Sequence, residues 1–123
     1  MKALSIHPYW ADKIRSGEKT IEVRRWSTRH RGLLLICASK RPRCGDLPAG
    51  VAVAVARLID VRPMVAGDVE QAGGVAAATG NMAWVLADIR PVESFPVKGR
   101  QGLFDVAYSG RYEQQSLFPC RRR

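Results

Sequence analysis

The sequence holds little of what metalloproteins, membrane proteins and secreted proteins depend on. It has 3 cysteines and 2 histidines in 123 residues, and their spacing matches neither a zinc-ligand pattern nor a CxxC redox pair. No apolar run approaches the roughly 20 residues of a membrane-spanning helix. The opening MKALSI is interrupted by His7 and Pro8, too early for a secretory signal. These absences predict a cytoplasmic protein with reduced thiols, no metal, no cofactor and no membrane partner.

Positive charge, by contrast, is in excess. The 20 Lys+Arg against 11 Asp+Glu give a net charge of +9, and 15 of the 20 cations are arginine. Even without the last three arginines the chain keeps a charge of +6. The partner that such a chain most often attracts in a cell is nucleic acid, which arginine contacts well through its planar fork. The alternative is that the charge only keeps the protein soluble.

Hydrophobic spacing predicts many short strands and few helices. A helix starts at Pro8 and ends at Gly17. The Ala/Gly-rich segment 67–80 is predicted to hold a short helix followed by a mobile loop. Strands are predicted at residues 2–6, 19–26, 33–38, 50–61, 82–89 (ended by Arg90–Pro91) and, after a turn, within 98–106. We therefore expect an α+β fold, a small bent β-barrel with one or two covering helices.

One eight-residue stretch, GEKTIEVR, concentrates charge on a predicted strand. Its alternation buries Ile21 and Val23. Glu22 and Arg24 then project together from the opposite face, and Lys19 lies at the turn before them. Glu22 and Arg24 can therefore pair or share a ligand, and the three charged groups cluster around one strand entrance. The alternative is a solvated strand face with a surface ion pair worth less than about 1 kcal/mol.

This stretch resembles the signature of ASCH domains, a PUA-like family whose pattern is Gly-x-Lys-x-x-Glu-x-Arg. The positions of the pattern are filled by Gly17, Lys19, Glu22 and Arg24. The resemblance continues through RGLLLICASK, MAWVLADIRPV and VKGRQGLFDV, so that it covers most of residues 2–107. It implies a PUA-like β-barrel domain over residues 1–109, with a cleft that is lined by the signature and binds RNA, DNA or nucleotides.

We expect an exposed or modified base to be held in this cleft. Glu22 can accept a hydrogen bond from an exocyclic amine, Arg24 can fix that carboxylate or contact a phosphate, and Lys19 can contact an anion. Trp10 and Trp26 can stack on a base, although packing in the core is the alternative for both.

Two further parts of the chain bear on this cleft. Trp84 lies within an apolar strand, and we expect it to be a core residue. Lys98, Arg100 and Gln101 lie on a Gly-flanked turn and can reach phosphates, unless they form an ordinary solvated turn.

An enzyme is the second hypothesis. One branch of the family hydrolyses the N4-acyl group of modified cytidines with a Lys, a Thr three residues later and a distant Glu. Lys19 matches that Lys, but Glu22 stands where the branch has Thr. If the chain is an enzyme, Lys19 and Glu22 are the catalytic candidates. Burial would then have to lower the pKa of Lys19, or an apolar pocket raise the pKa of Glu22.

The last residues carry a separate motif. Hydrophobic periodicity stops near Gly110, so residues 110–123 are predicted to form a flexible basic tail. Within it, QQSLF resembles the peptide by which bacterial proteins bind the DNA polymerase sliding clamp, with Gln114, Leu117 and Phe118 at the binding positions. A clamp-associated adaptor is therefore the third hypothesis. The alternative is that the two apolar residues fold back on the barrel.

Overall fold

A computed structural model describes residues 1–108 of the chain. The predicted tail and its clamp-like peptide lie outside this range. The elements, in chain order, are β1 (Lys2–Ile6), α1 (Pro8–Arg15), β2 (Ile21–Arg24), β3 (Gly32–Ala38), β4 (Val51–Pro63), a 3-10 turn (Ala66–Asp68), β5 (Met82–Pro96) and β6 (Leu103–Asp105).

The six strands form one sheet in the order β2-β5-β4-β3-β1-β6. Strands β1 and β3 are parallel and are joined by a crossover that contains α1, whereas every other neighbouring pair is antiparallel. Within the described residues β2 and β6 are the two ends of the sheet and do not pair with each other. The predicted strand-rich α+β fold is confirmed, but the sheet is a half-barrel rather than a closed barrel.

The helix α1 forms where the sequence predicts it. Pro8 occupies its first turn, and the side chain of His7 accepts a hydrogen bond from the backbone N–H of Tyr9. Ala11 and Ile14 are fully buried and join the main core beneath the sheet. The helix has 8 residues, and no helix in the described part of the chain is long and apolar enough to cross a membrane.

Strand β5 differs most from its prediction. It continues through Arg90–Pro91, the predicted end, as far as Pro96. Its pairing with β4 shifts register at three places, and Asp88 adopts a positive φ of 52°. Such irregularities bend a strand and tolerate a proline, because the ladder of hydrogen bonds is already interrupted there. This strand of 15 residues lies between β2 and β4 and pairs with both.

The Ala/Gly-rich segment contains the 3-10 turn and then runs back to the start of β2. The carbonyl of Gln71 accepts hydrogen bonds from the backbone N–H groups of Thr20 (2.9 Å) and Ile21 (3.1 Å). Ala72 is completely buried between β2 and Met64 in a small second core. The predicted short helix is thus a single 3-10 turn. The first part of the predicted mobile loop is held to the sheet by these hydrogen bonds.

Candidate functional site

An open cavity of about 1110 Å³, called the cleft below, lies at one end of the sheet. Its walls come from the end of β2, from the loop that joins β3 to β4, and from the connection between β5 and β6. Polar, cationic and aromatic side chains line it. They are Ser5, Arg24, Trp26, Ser39, Lys40, Arg43, Lys98, Arg100 and Gln101.

Gly50 positions two of these walls. Its backbone N–H donates to the carbonyl of Ala38 (2.8 Å), which closes the β3–β4 loop. Its carbonyl accepts from the N–H of Val97 (3.0 Å), where the β5–β6 connection begins. That connection packs directly on β1, since a Cβ placed on Gly99 would lie 3.1 Å from Oγ of Ser5. The β3–β4 loop and the β5–β6 connection therefore both leave the sheet beside Gly50.

The charge that lines the cleft has a single sign. Five of its lining residues are cations and none is a carboxylate. Lys40, Arg43, Lys98 and Arg100 have no carboxylate within 4.0 Å among the described residues. Elsewhere on the sheet, arginines are paired with aspartates, as in Arg57–Asp88, Arg62–Asp68 and Arg90–Asp88. The cleft thus brings together four cations that no carboxylate compensates among the described residues.

Lys19 lies outside the cleft and is only 1% exposed. Its Nζ donates a hydrogen bond of 2.6 Å to the carbonyl of Ala72 and lies 3.7 Å from Oε1 of Glu22. The same atom lies 4.6 Å from the ring centroid of Trp10. Burial lowers the pKa of Lys19, and the neighbouring carboxylate of Glu22 opposes that shift.

Glu22 is buried as well, with 5% of its surface exposed. Its Oε2 accepts a hydrogen bond of 3.1 Å from Nη1 of Arg24. Burial raises the pKa of Glu22, while Lys19 and Arg24 both act to lower it. The carboxylate therefore lies between two cations and behind the arginine that faces the cleft.

The alternation predicted for β2 accounts for only part of this arrangement. Ile21 is buried against the second core, as predicted. Glu22 pairs opposite Trp84 on the other face, which borders the main core rather than solvent. Both faces of the strand are thus covered, because the segment that follows β4 folds over one of them. A surface ion pair, the alternative interpretation of Glu22, does not describe a carboxylate buried to this degree.

Trp26 forms an aromatic wall of the cleft. Its ring packs edge-to-face against Trp84, with centroids 4.8 Å apart, and Trp84 Nε1 donates to the carbonyl of Trp26 (3.1 Å). The guanidinium of Arg24 lies 5.8 Å from the ring centroid of Trp26. Trp84 itself has no exposed surface, which confirms its prediction as a core residue. It fixes a half-buried Trp26 in place.

The structure divides the residues singled out in the sequence into two groups. The first group lines the cleft and consists of Arg24, Trp26, Lys98, Arg100 and Gln101. The second group does not line it and consists of Trp10, Lys19 and Glu22, in which Lys19 contacts the other two and Glu22 contacts Arg24. Gln114, Leu117 and Phe118 lie outside the described residues.

Several contributors to the site are not predicted from the sequence. Lys40 and Arg43 were visible as a basic run after β3, but nothing in the sequence indicated that the run meets the turn at residues 98–101. Ala72 acts through its carbonyl oxygen, which every residue possesses, so its role leaves no signal in the sequence. Gly73 lies so close to Trp10 that a Cβ would lie 2.8 Å from Cζ3 of that ring. Within residues 1–108, no group of three or more His, Cys, Asp or Glu side chains is arranged to hold a metal ion.

Comparison with known proteins adds two findings and one negative result. A sequence model of the ASCH domain matches residues 4–115. The crystal structure of ASCH from Zymomonas mobilis is similar, with a TM-score of 0.64 and 18% identity over 94% of this chain and 92% of that chain. A tyrosine-to-phenylalanine mutant of the same protein gives a TM-score of 0.62 and 19% identity, with 94% of each chain covered. No curated protein matches the chain.

Proposed function

The chain belongs to the ASCH domain family, and from this membership we propose that it binds nucleic acid in the cleft and holds one exposed or modified base beside Trp26. The family resemblance implies binding of RNA, DNA or nucleotides. The observation that carries the proposal is the set of five cations that line the cleft without a carboxylate among them. A cavity of one charge sign concentrates field lines and attracts a polyanion.

Trp26 and Arg24 supply the features that favour a base over a simple anion. The indole ring is held edge-on by Trp84 and remains half-buried, so it offers a rigid surface for stacking. Stacking of a base on an aromatic side chain is worth about 1–3 kcal/mol. Arg24 can contact a phosphate or a base edge, and Gln101 adds an amide on the wall formed by the β5–β6 connection.

The test is fluorescence anisotropy with labelled single- and double-stranded RNA and DNA, repeated over a range of salt concentrations. We expect binding that weakens steeply as salt rises, because phosphate contacts release counterions. Arg24→Gln and Trp26→Leu should each weaken binding, whereas Arg29→Gln, an exposed cation outside the cleft, should not. If the wild-type chain binds no nucleic acid, or if all three variants bind equally well, the proposal is wrong.

A second candidate function is hydrolysis of a modified nucleoside such as an N4-acylcytidine. The buried pair of Lys19 and Glu22 favours it, since ionisable side chains with shifted pKa values are characteristic of catalytic sites. Its weak point is that Glu22 stands where the hydrolytic branch of the family has Thr. Chromatographic detection of cytidine released from N4-acetylcytidine by the wild type but not by Lys19→Met would support it. Micromolar displacement of a labelled oligonucleotide by the free nucleoside would point the same way.

A further inference from the structure

The β3–β4 loop carries a dense run of positive charge that the family signature does not include. Lys40, Arg41 and Arg43 lie within four residues, and all three are exposed. Two of them, Lys40 and Arg43, line the cleft. None of the three has a carboxylate within 4.0 Å in the described part of the chain. Three like charges so close together repel one another, and an anionic ligand would relieve that repulsion.

The loop is held in a defined place opposite a second cationic turn. Its first residue, Ser39, donates its backbone N–H to the carbonyl of Ile6 (2.8 Å), and its last residue, Gly50, bonds to Ala38. Gly50 packs against Lys40, since a Cβ on that glycine would lie 3.6 Å from Cβ of the lysine. The same glycine anchors the connection that carries Lys98 and Arg100. Two cationic loops therefore border one cleft, and both are anchored at Gly50.

The size of the cleft exceeds the needs of a single nucleoside. Pockets for drug-sized ligands measure roughly 300–1,000 Å³, and the cleft measures about 1110 Å³. A nucleoside carries no phosphate, so it would leave the cationic lining without an anion. A short strand that carries a phosphate on each side of one base would occupy both loops.

We propose that the β3–β4 loop is a phosphate-binding arm, and that Lys40 and Arg43 on one side and Lys98 and Arg100 on the other grip the backbone of a single-stranded nucleic acid on both sides of the base at Trp26. This inference rests on the proposed function and deepens it to a ligand class. A single strand fits this arrangement because Trp26 lines the cleft, and a base can stack on its ring only with a face that no neighbouring base covers. A base paired in a duplex keeps its own faces covered by neighbouring bases.

The experiment compares three charge-neutralised double variants of the full chain by anisotropy. They are Lys40→Gln/Arg43→Gln, Lys98→Gln/Arg100→Gln, and the control Arg15→Gln/Arg29→Gln. The control removes two exposed cations that have no carboxylate partner among the described residues and do not line the cleft. The probes are a labelled six-nucleotide single strand, its duplex and a mononucleotide.

We expect each cleft variant to bind the single strand at least roughly tenfold more weakly than the control. The slope of the logarithm of the binding constant against the logarithm of salt concentration should fall in magnitude by about 0.7 for each phosphate that the variant no longer neutralises. The duplex and the mononucleotide should bind more weakly than the single strand.

Each contrary outcome overturns a different statement. If Lys40→Gln/Arg43→Gln binds the single strand as tightly as the control does, the phosphate-binding role of the β3–β4 loop is wrong and the proposed function stands. If duplex and single strand bind equally, the ligand class is wrong. If the wild type binds no probe, the proposed function fails as well.

Discussion

At the scale of single residues, the family signature does two different things in this fold. Lys19 and Glu22 are buried, whereas Arg24 reaches the cleft. Glu22 contacts Arg24 through one carboxylate oxygen and lies near Lys19 through the other. A buried carboxylate that is satisfied by two cations orients them, because moving either cation would leave a charge unpaired. The signature thus couples a surface arginine to an interior lysine.

This arrangement predicts that Glu22 affects binding through Arg24. Glu22→Gln keeps the side-chain shape but removes the charge that holds the guanidinium, so oligonucleotide binding should weaken about fivefold, equivalent to about 1 kcal/mol. Arg24→Gln should weaken it about tenfold. In the double variant the two losses should not add, because the arginine through which Glu22 acts is already gone. Anisotropy on the four proteins measures this.

The matched control is Glu18→Gln, which removes the carboxylate of an exposed ion pair with Lys13. It should leave the dissociation constant unchanged. If Glu22→Gln causes the same additional loss with Arg24 present or absent, the carboxylate contacts the nucleic acid directly, as the sequence suggested.

At the scale of elements, the segment between β4 and β5 decides the environment of Lys19. It contributes the carbonyl of Ala72 and places Gly73 against Trp10. Its composition, rich in Ala and Gly, allows this close approach because little side-chain volume intervenes. The same composition predicted a mobile loop, since the sequence shows no apolar periodicity that would hold it.

Gly73 and Gly74 allow this close approach to be tested. Both have a positive φ, 78° and 93°, but only a Cβ at Gly73 meets a neighbour within 4 Å. Gly74→Ala should lower the free energy of unfolding by about 1–2 kcal/mol through backbone strain alone. Gly73→Ala should cost a further 1–3 kcal/mol or so, because the methyl group collides with Trp10. Urea denaturation of both variants measures the difference, and equal losses would contradict the packing against Trp10.

The 3-10 turn gives the protein a defined response to acid. Asp68 is buried and accepts two hydrogen bonds from Arg62 and one from the N–H of Val65. Its hydrogen bond with Arg62 is the main cause that lowers the pKa of Asp68 to about 2 from its usual 3.8. The folded state thus binds the proton less tightly than the unfolded chain does. The stabilisation is complete above pH 3.8 and is lost as the pH falls towards 2.

Thermal unfolding of Asp68→Asn tests this response. The variant should melt below the wild type near neutral pH, and the difference should shrink as the pH falls towards 2, where about half of Asp68 is protonated in the folded state. Asp105→Asn breaks an exposed ion pair with Lys2 and should change the melting temperature little at any pH. A difference between Asp68→Asn and wild type that persists unchanged at pH 2 would assign the effect to shape rather than charge.

At the scale of the whole molecule, the strands that build the fold and the loops that carry the cations of the cleft are different parts of the chain. Arginines on β4 and β5 form ion pairs with aspartates. The two loops beside Gly50 instead carry four cations without a carboxylate partner among the described residues, namely Lys40, Arg43, Lys98 and Arg100. The half-barrel thus acts as a rigid support for a cationic cleft whose residues come from distant parts of the chain.

The tail hypothesis belongs to this scale, and it remains a proposal. Deleting residues 110–123 lowers the net charge from +9 to +6, because the deleted segment holds four arginines and one glutamate. The six-stranded sheet already ends at Asp105, so the free energy of unfolding should change by less than about 0.5 kcal/mol. Pull-down with purified sliding clamp should fail for the deletion. It should also fail for Leu117→Ala/Phe118→Ala, which changes no charge. Retention of the clamp by both proteins would contradict the adaptor hypothesis.

Much of the fold followed from local pattern. Alternation and apolar runs predicted the positions of β1, β3, β4 and β6, because side chains on a strand face the core at every second residue. Proline at residue 8 and glycine at residue 17 bounded α1 correctly. The extent of β5 was predicted wrongly, since Pro91 breaks a regular strand but is tolerated where the pairing shifts register.

The sequence by itself determined the net charge, the family signature and the order of strands and helix, because each depends on residue type or on spacing over a few positions. Only the tertiary structure decided that Lys19 and Glu22 are interior while Arg24 is at the cleft, since Ala72, whose carbonyl accepts from Lys19, and Trp84, which lies opposite Glu22, both come from distant segments. It also brought Lys40 and Lys98 to one cleft. That meeting depends on backbone hydrogen bonds at Gly50 between distant segments, and no local pattern of side chains records such bonds.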